Sequence, residues 1–295
     1  MRKMYKLLLS EVRVFQLFSL VSTYLLGAGL VQYAREIHSW LVLLQGLLFL
    51  LLLDLCVDLL RLQQLLLEGK ALPEGVTMRE ARQSRWVIVL ILATFLTTAV
   101  TIFINWIYGD ILWQGMIFLL LNVVIFAGLY YFFSINPKMH PYLLFVELLF
   151  VVVFPPAVAF FSQSSEIHRL LTMVIISLIP AYVSYRLLQQ ITKYGEDKKS
   201  DNNSLVVQIG WEKGMVFHNG FILLSYVAFA LIALFGFPWF LLWPVFLTLP
   251  IGLLEIWLIE RTRRGRKPLW RVMHFATLSV FFIPQYLIAF ALWIR

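Results

Sequence analysis

Leu47-Leu-Phe-Leu-Leu-Leu-Leu-Asp-Leu-Cys-Val-Asp58 is an unbroken apolar run that ends in two carboxylates. Carried back to Trp40, it supplies the roughly 20 residues that a helix needs to cross a hydrocarbon core of about 30 Å. Comparable runs recur along the whole chain, which is 61% hydrophobic, 16% aromatic and 14% charged, with a mean hydropathy of +0.84. A soluble domain carries about 25% charged residues, so a water-soluble fold is excluded. The pattern predicts one all-α, polytopic membrane domain over residues 1–295. Its nine spans fall at about 14–34, 40–62, 86–107, 112–134, 142–162, 168–190, 216–235, 239–259 and 272–293.

Charge is distributed unevenly between the connections. Arg2, Lys3, Lys6 and Arg13 precede the first span, and Lys70, Arg79, Arg82 and Arg85 follow the second. Lys193, Lys198, Lys199 and Lys213 follow the sixth, and a cluster from Arg261 to Arg271 follows the eighth, whereas the alternate loops offer only Arg35 and Arg169. Positive-inside bias places the N-terminus in the cytoplasm and the C-terminus outside, in a membrane expected to be the bacterial cytoplasmic one. Loops about 63–85 and 191–215 are then cytoplasmic. The net charge of +8 is explained by these loops meeting anionic headgroups. The chain shows no soluble basic face for nucleic acid. The basic N-terminus has no small-residue cleavage site after the first apolar run, which reads as an uncleaved span. Cys56 is the only cysteine, which excludes an internal disulfide.

Pro155, Pro156, Pro180, Pro244 and Pro250 fall inside spans. Prolines free carbonyls that protein or a wet cavity must satisfy; irregular packing accounts for each one singly, and several together favour an internal cavity. Trp40, Trp86, Trp106, Trp211 and Trp270 near span ends read as interfacial anchors.

Acids at membrane depth are expensive and mark functional sites by default. Asp54 and Asp58 lie four residues apart, on one helix face. They either share a cation, for which Mg²⁺ is the natural choice, or form a neutralised pair beside Arg61. A second acidic and basic stretch, Lys193-Tyr-Gly-Glu-Asp-Lys-Lys199, runs on to Gly210 in the second long cytoplasmic connection.

These two stretches resemble the Asp-rich motifs of the UbiA superfamily of intramembrane prenyltransferases. The first family motif reads about N-D-x-x-D-x-x-x-D, then P-L-P-S-G and R-E-A. Asp54 falls on its Asn, Asp58 on its main Asp and Leu62 on its last Asp, and Ala71-Leu-Pro-Glu-Gly75 and Arg79-Glu-Ala81 follow. In the branch acting on dihydroxynaphthoate for menaquinone, the second motif reads about N-N-x-R-D-x-x-x-D-x-x-x-G-K-R-T-L-x-V-x-x-G. Gln189-Gln190 fall on its paired Asn, Lys193 on its first Asp and Asp197 on its second, and the stretch to Gly210 follows its close. Glu147-Leu-Leu-Phe-Val is similar to that branch's G-E-L-F-V.

The resemblance implies nine helices around a central cavity. It also implies transfer of an isoprenoid chain from its diphosphate to an aromatic or lipid acceptor, in quinone biosynthesis. Asp54, Asp58 and Asp197 would bind Mg²⁺, with Asp58, Asp197 and Lys193 at the catalytic centre. Arg79, Lys198 and Lys193 would meet the diphosphate. Glu147 would orient the acceptor or pair with another helix. Lys193, where the family has an acid, would repel a second ion, so Mg²⁺ dependence is expected to be weak or single-site. The alternative is a lapsed member that binds a quinone, prenyl lipid or pigment, or serves as a subunit of a membrane complex. A transporter has less support, since the chain shows no internal repeat.

Overall fold

The computed structural model describes residues 14–34, 39–68, 78–108, 114–164, 168–199 and 203–294. All regular structure among them is helical. The long helices are α1 (Val14–Ala34), α2 (Trp40–Glu68), α3 (Met78–Tyr108), α4 (Gln114–Ile135), α5 (His140–Phe161), α6 (Arg169–Lys199), α7 (Trp211–Leu234), α8 (Trp239–Arg263) and α9 (Trp270–Trp293). Eight of them are long and apolar enough to cross a membrane. The exception is α4, whose apolar stretch Leu119–Ile135 is shorter; the start expected near residue 112 lies outside the described residues. Large apolar side chains such as Leu90, Leu96, Phe275 and Tyr286 face outward, as lipid contact requires.

The connection expected over about 191–215 is largely helical. Helix α6 continues to Lys199, a short helix follows at Leu205–Ile209, and α7 begins at Trp211. Polar residues extend α6 beyond its apolar part because they suit an exposed helix: Lys193, Glu196, Lys198 and Lys199 are exposed, while Asp197 is buried. Lys198 and Lys199 lie in the last turn, where cations complement the helix dipole. Likewise α2 runs to Glu68 and α3 starts at Met78, which narrows the connection expected over 63–85.

Helix α5 is built in three pieces: His140–Leu148, a π-helical turn Leu149–Val153, and Phe154–Phe161. The cause is Pro155, which has no N–H for the carbonyl four residues back and whose ring crowds it. The ladder widens so that the N–H of Phe154 reaches the carbonyl of Leu149, and the carbonyl of Val151 loses its regular donor. Thr23 Oγ1 on α1 lies 2.8 Å from that carbonyl, its shortest contact, with Ser19 of its own helix at 2.9 Å. One turn on, Gly27 lets the two backbones meet: a Cβ there would stand 2.5 Å from the Cα and carbonyl oxygen of Pro156.

Helix α1 also anchors its other neighbours. Tyr24 donates to the carbonyl of Leu43 on α2 at 2.7 Å, over Gly46, where a Cβ would lie 2.5 Å from the phenol oxygen. Ser22 donates to Gln285 of α9 at 2.6 Å, and Gln285 donates to the carbonyl of Phe281 at 2.9 Å. With α5, helix α1 thus joins α2–α4 on one side to α6–α9 on the other.

Thr23→Val keeps the shape of the side chain but leaves the Val151 carbonyl without this hydroxyl. A loss of about 1–3 kcal/mol in detergent unfolding is expected. Pro155→Ala, which restores an N–H, should shrink that loss in the double variant. Gly27→Ala is expected to cost about 1–3 kcal/mol by overpacking.

Candidate functional site

A cavity of about 720 Å³ opens where α1, α5 and α9 begin and α6 ends. Phe15, Gln16 and Ser19 of α1, and His140, Leu143 and Glu147 of α5, form one side. Tyr182, Arg186, Gln189, Gln190, Lys193 and Asp197 of α6 form another, and His274 and Leu278 of α9 complete it. The volume suits one small-molecule or lipid head group with part of its tail.

Of the residues expected from sequence, Glu147, Lys193 and Asp197 are brought to this cavity. Lys193 and Asp197 are one helical turn apart, on one face of α6. Lys198 is exposed and does not line it. Asp54 and Asp58 are buried, at 0% and 4% exposure, and neither is among the lining residues. Asp54 sits behind Gln16, whose amide nitrogen donates to Asp54 Oδ1 at 2.8 Å. Tyr130 holds Gln16 from the other side, donating to its amide oxygen at 3.0 Å. Helix α1 therefore stands between the Asp54 face of α2 and the cavity. The side chain of Arg79 lies outside the described residues.

The firmest electrostatic contact in the wall joins Glu147, 1% exposed, to Arg186 across α5 and α6: Oε2 and Nη2 are 2.5 Å apart. Arg186 also donates to Gln189, and Gln190 accepts from the backbone N–H of Val206 at 3.2 Å, which ties the short helix to α6. Glu147 thus pairs with another helix and also lines the cavity. Arg186 was legible in principle, because an arginine inside a span is costly wherever it has no task. Gln16 was not, since nothing in the order of residues signals that a glutamine on α1 meets an aspartate on α2.

The cavity wall carries two cations, Arg186 and Lys193, two acids, Glu147 and Asp197, and the amides of Gln189 and Gln190, with Glu147 neutralised by Arg186. Among the described residues no three His, Cys, Asp or Glu side chains converge as a metal site. Mg²⁺ takes carboxylates and waters in near-octahedral geometry, and the buried Asp54–Asp58 pair and cavity-lining Asp197 do not assemble that set. No family model matches this chain, and no curated protein matches it.

Removing either partner of the α5–α6 pair should cost unequally. Arg186→Gln leaves a carboxylate in a fully enclosed place, whereas Glu147→Gln leaves a guanidinium that reaches the cavity, with 20% of its side chain exposed. Breaking a buried pair costs about 3–5 kcal/mol. Arg186→Gln is expected near that figure and Glu147→Gln below it, as read by thermal unfolding of the purified protein.

Proposed function

We propose that this chain is a UbiA-like integral membrane protein that binds an isoprenoid lipid by an oxyanion or quinone-like head group. It does so without the paired metal sites of a prenyltransferase. The observation that carries this reading is the composition of the cavity wall: Arg186, Gln189, Gln190 and Lys193 at one end, with Phe15, Leu143, Tyr182 and Leu278 beside them. Cations and amides recognise the oxygens of a head group, and the aromatic and aliphatic side chains accept the first units of an apolar tail.

The lapsed form is favoured over transfer by the place of the acids. Asp54 is engaged by Gln16, and Lys193 supplies at the cavity a positive charge that a metal ion would otherwise bring. The chain is proposed to hold nine spans, with α4 crossing as the fourth. The N-terminus is then cytoplasmic and the C-terminus outside, and the cavity opens to the cytoplasm among the basic connections. A bacterial cytoplasmic membrane suits this orientation, and a quinone or prenyl lipid is the ligand class found there.

A ligand that binds only the folded protein raises its stability by mass action, by about 2.7 kcal/mol at a hundredfold excess over Kd. Farnesyl diphosphate or a menaquinone is expected to raise the melting temperature equally with Mg²⁺ and with chelator. Lys193→Ala should reduce the diphosphate shift without lowering the melting temperature of the free protein, since that side chain is exposed. A shift that requires Mg²⁺, accompanied by a prenylated dihydroxynaphthoate product, would establish the transferase instead. No shift with any of these lipids would end the binding reading.

A further inference from the structure

The connection between α8 and α9 concentrates positive charge away from the cavity. Residues 260–271 hold six cations, Arg261, Arg263, Arg264, Arg266, Lys267 and Arg271, against one acid, Glu260. That acid is already taken: its Oε1 lies 2.9 Å from Nη2 of Arg263 and 3.1 Å from Nε of Arg264. Arg266, Lys267 and Arg271 are exposed and have no ion-pair partner among the described residues. Nε of Arg261 is enclosed and lacks a hydrogen-bond partner among the described residues. Like charges gathered this closely repel one another, and a counter-anion held among them relieves that cost.

The backbone fixes where the cations stand. Helix α8 closes with the N–H of Arg264 on the carbonyl of Glu260 at 3.1 Å and that of Gly265 on Thr262 at 2.9 Å. The N–H of Arg266 returns to the carbonyl of Arg261 at 3.3 Å, and α9 opens at Trp270. A short turn thus joins two candidate spans at one membrane surface. Large apolar side chains are exposed beside the charges. On α8 the guanidinium of Arg261 lies 5.7 Å from the ring centre of Trp257, an exposed indole one turn earlier. On α9 the exposed Phe275 stands one turn after Arg271, and Leu269 is exposed between the two helices in sequence.

On both helices, then, a cation at the end of a span sits one turn from an aromatic side chain open to lipid. Guanidinium forks and ammonium groups take phosphate oxygens, and aromatic rings at this depth favour the boundary between head group and acyl chain. A free phosphate or a polynucleotide would leave the apolar half of the surface unused. We propose that the α8–α9 turn and the helix ends beside it bind an anionic phospholipid by its phosphodiester. This site is separate from the cavity and stands whether or not the cavity holds an isoprenoid. General attraction of basic loops to an anionic leaflet depends on how many cations lie near it; a site depends on which ones.

The test uses the full chain in detergent, titrated with dioleoylphosphatidylglycerol, dioleoylphosphatidylcholine or glycerol 3-phosphate, with bound ligand counted by native mass spectrometry. Wild type should retain phosphatidylglycerol in preference to phosphatidylcholine, and glycerol 3-phosphate should not displace it. The triple variant Arg266→Gln, Lys267→Gln, Arg271→Gln should raise Kd for phosphatidylglycerol about a hundredfold at low salt, about fivefold for each cation removed. A control, Lys138→Gln, Lys199→Gln, Lys213→Gln, removes as much charge from other exposed positions and should change Kd less than about threefold. If the first triple variant does not fold, the pair Arg266→Gln, Lys267→Gln carries the test with two such factors. Equal loss in the two triple variants would leave only general attraction and overturn the site. Loss in Lys193→Ala instead would place the lipid in the cavity and overturn it too. Glycerol 3-phosphate binding as tightly as the lipid, phosphatidylcholine retained equally, or no retained phosphatidylglycerol would each have the same consequence.

Discussion

The structure depends on how one carbonyl is satisfied. Within a bilayer no water replaces a lost backbone hydrogen bond, so each proline inside a span obliges another part of the protein to respond. Pro155 frees the carbonyl of Val151, and Thr23 meets it from α1. Gly27 then lets α1 lie directly on Pro156. This contact seats α1 against α5, and the first turns of α1 line the cavity and cover Asp54.

That position of α1 changes the chemistry of the acids. On α2, Asp54 is served by an amide of α1, and neither it nor Asp58 is among the residues that line the cavity. On α5, Glu147 is served by a guanidinium, and on α8, Glu255 is served by an imidazole and a hydroxyl. Asp54, Glu147 and Glu255 are thus each met by a protein group of opposite charge or by a donor, which costs less than an isolated charge. The cavity wall then presents Lys193, Arg186 and the amides of Gln189 and Gln190 beside the carboxylate of Asp197, and the cations and amides are the groups that recognise an oxygen-rich head group.

Much of the fold was legible from the chain. Apolar length located the long helices, eight of which are long and apolar enough to cross a membrane. Helix α3 nevertheless begins earlier and α6 ends later than their apolar runs, so that Lys193 and Asp197, expected in a loop, lie on the helix Arg169–Lys199. Composition could not show that the polar residues after the sixth apolar run remain helical, because their hydropathy is that of a loop while their helix propensity is good. Nor could it show that α1 separates the Asp54 face from the cavity, since that follows from a glycine and a threonine meeting a proline more than a hundred residues away. Local spacing predicts which groups share a helix face; it does not predict which helix that face meets.

The central claim is that the cavity holds an isoprenoid lipid by its head group. Native mass spectrometry of the chain released gently from its own membrane tests this most directly. The account predicts one tightly retained isoprenoid lipid per chain in the wild-type protein and its loss in a Lys193→Ala, Gln189→Ala variant that melts as wild type does. Retention of bulk phospholipid alone, in the same amount in both proteins, would contradict it.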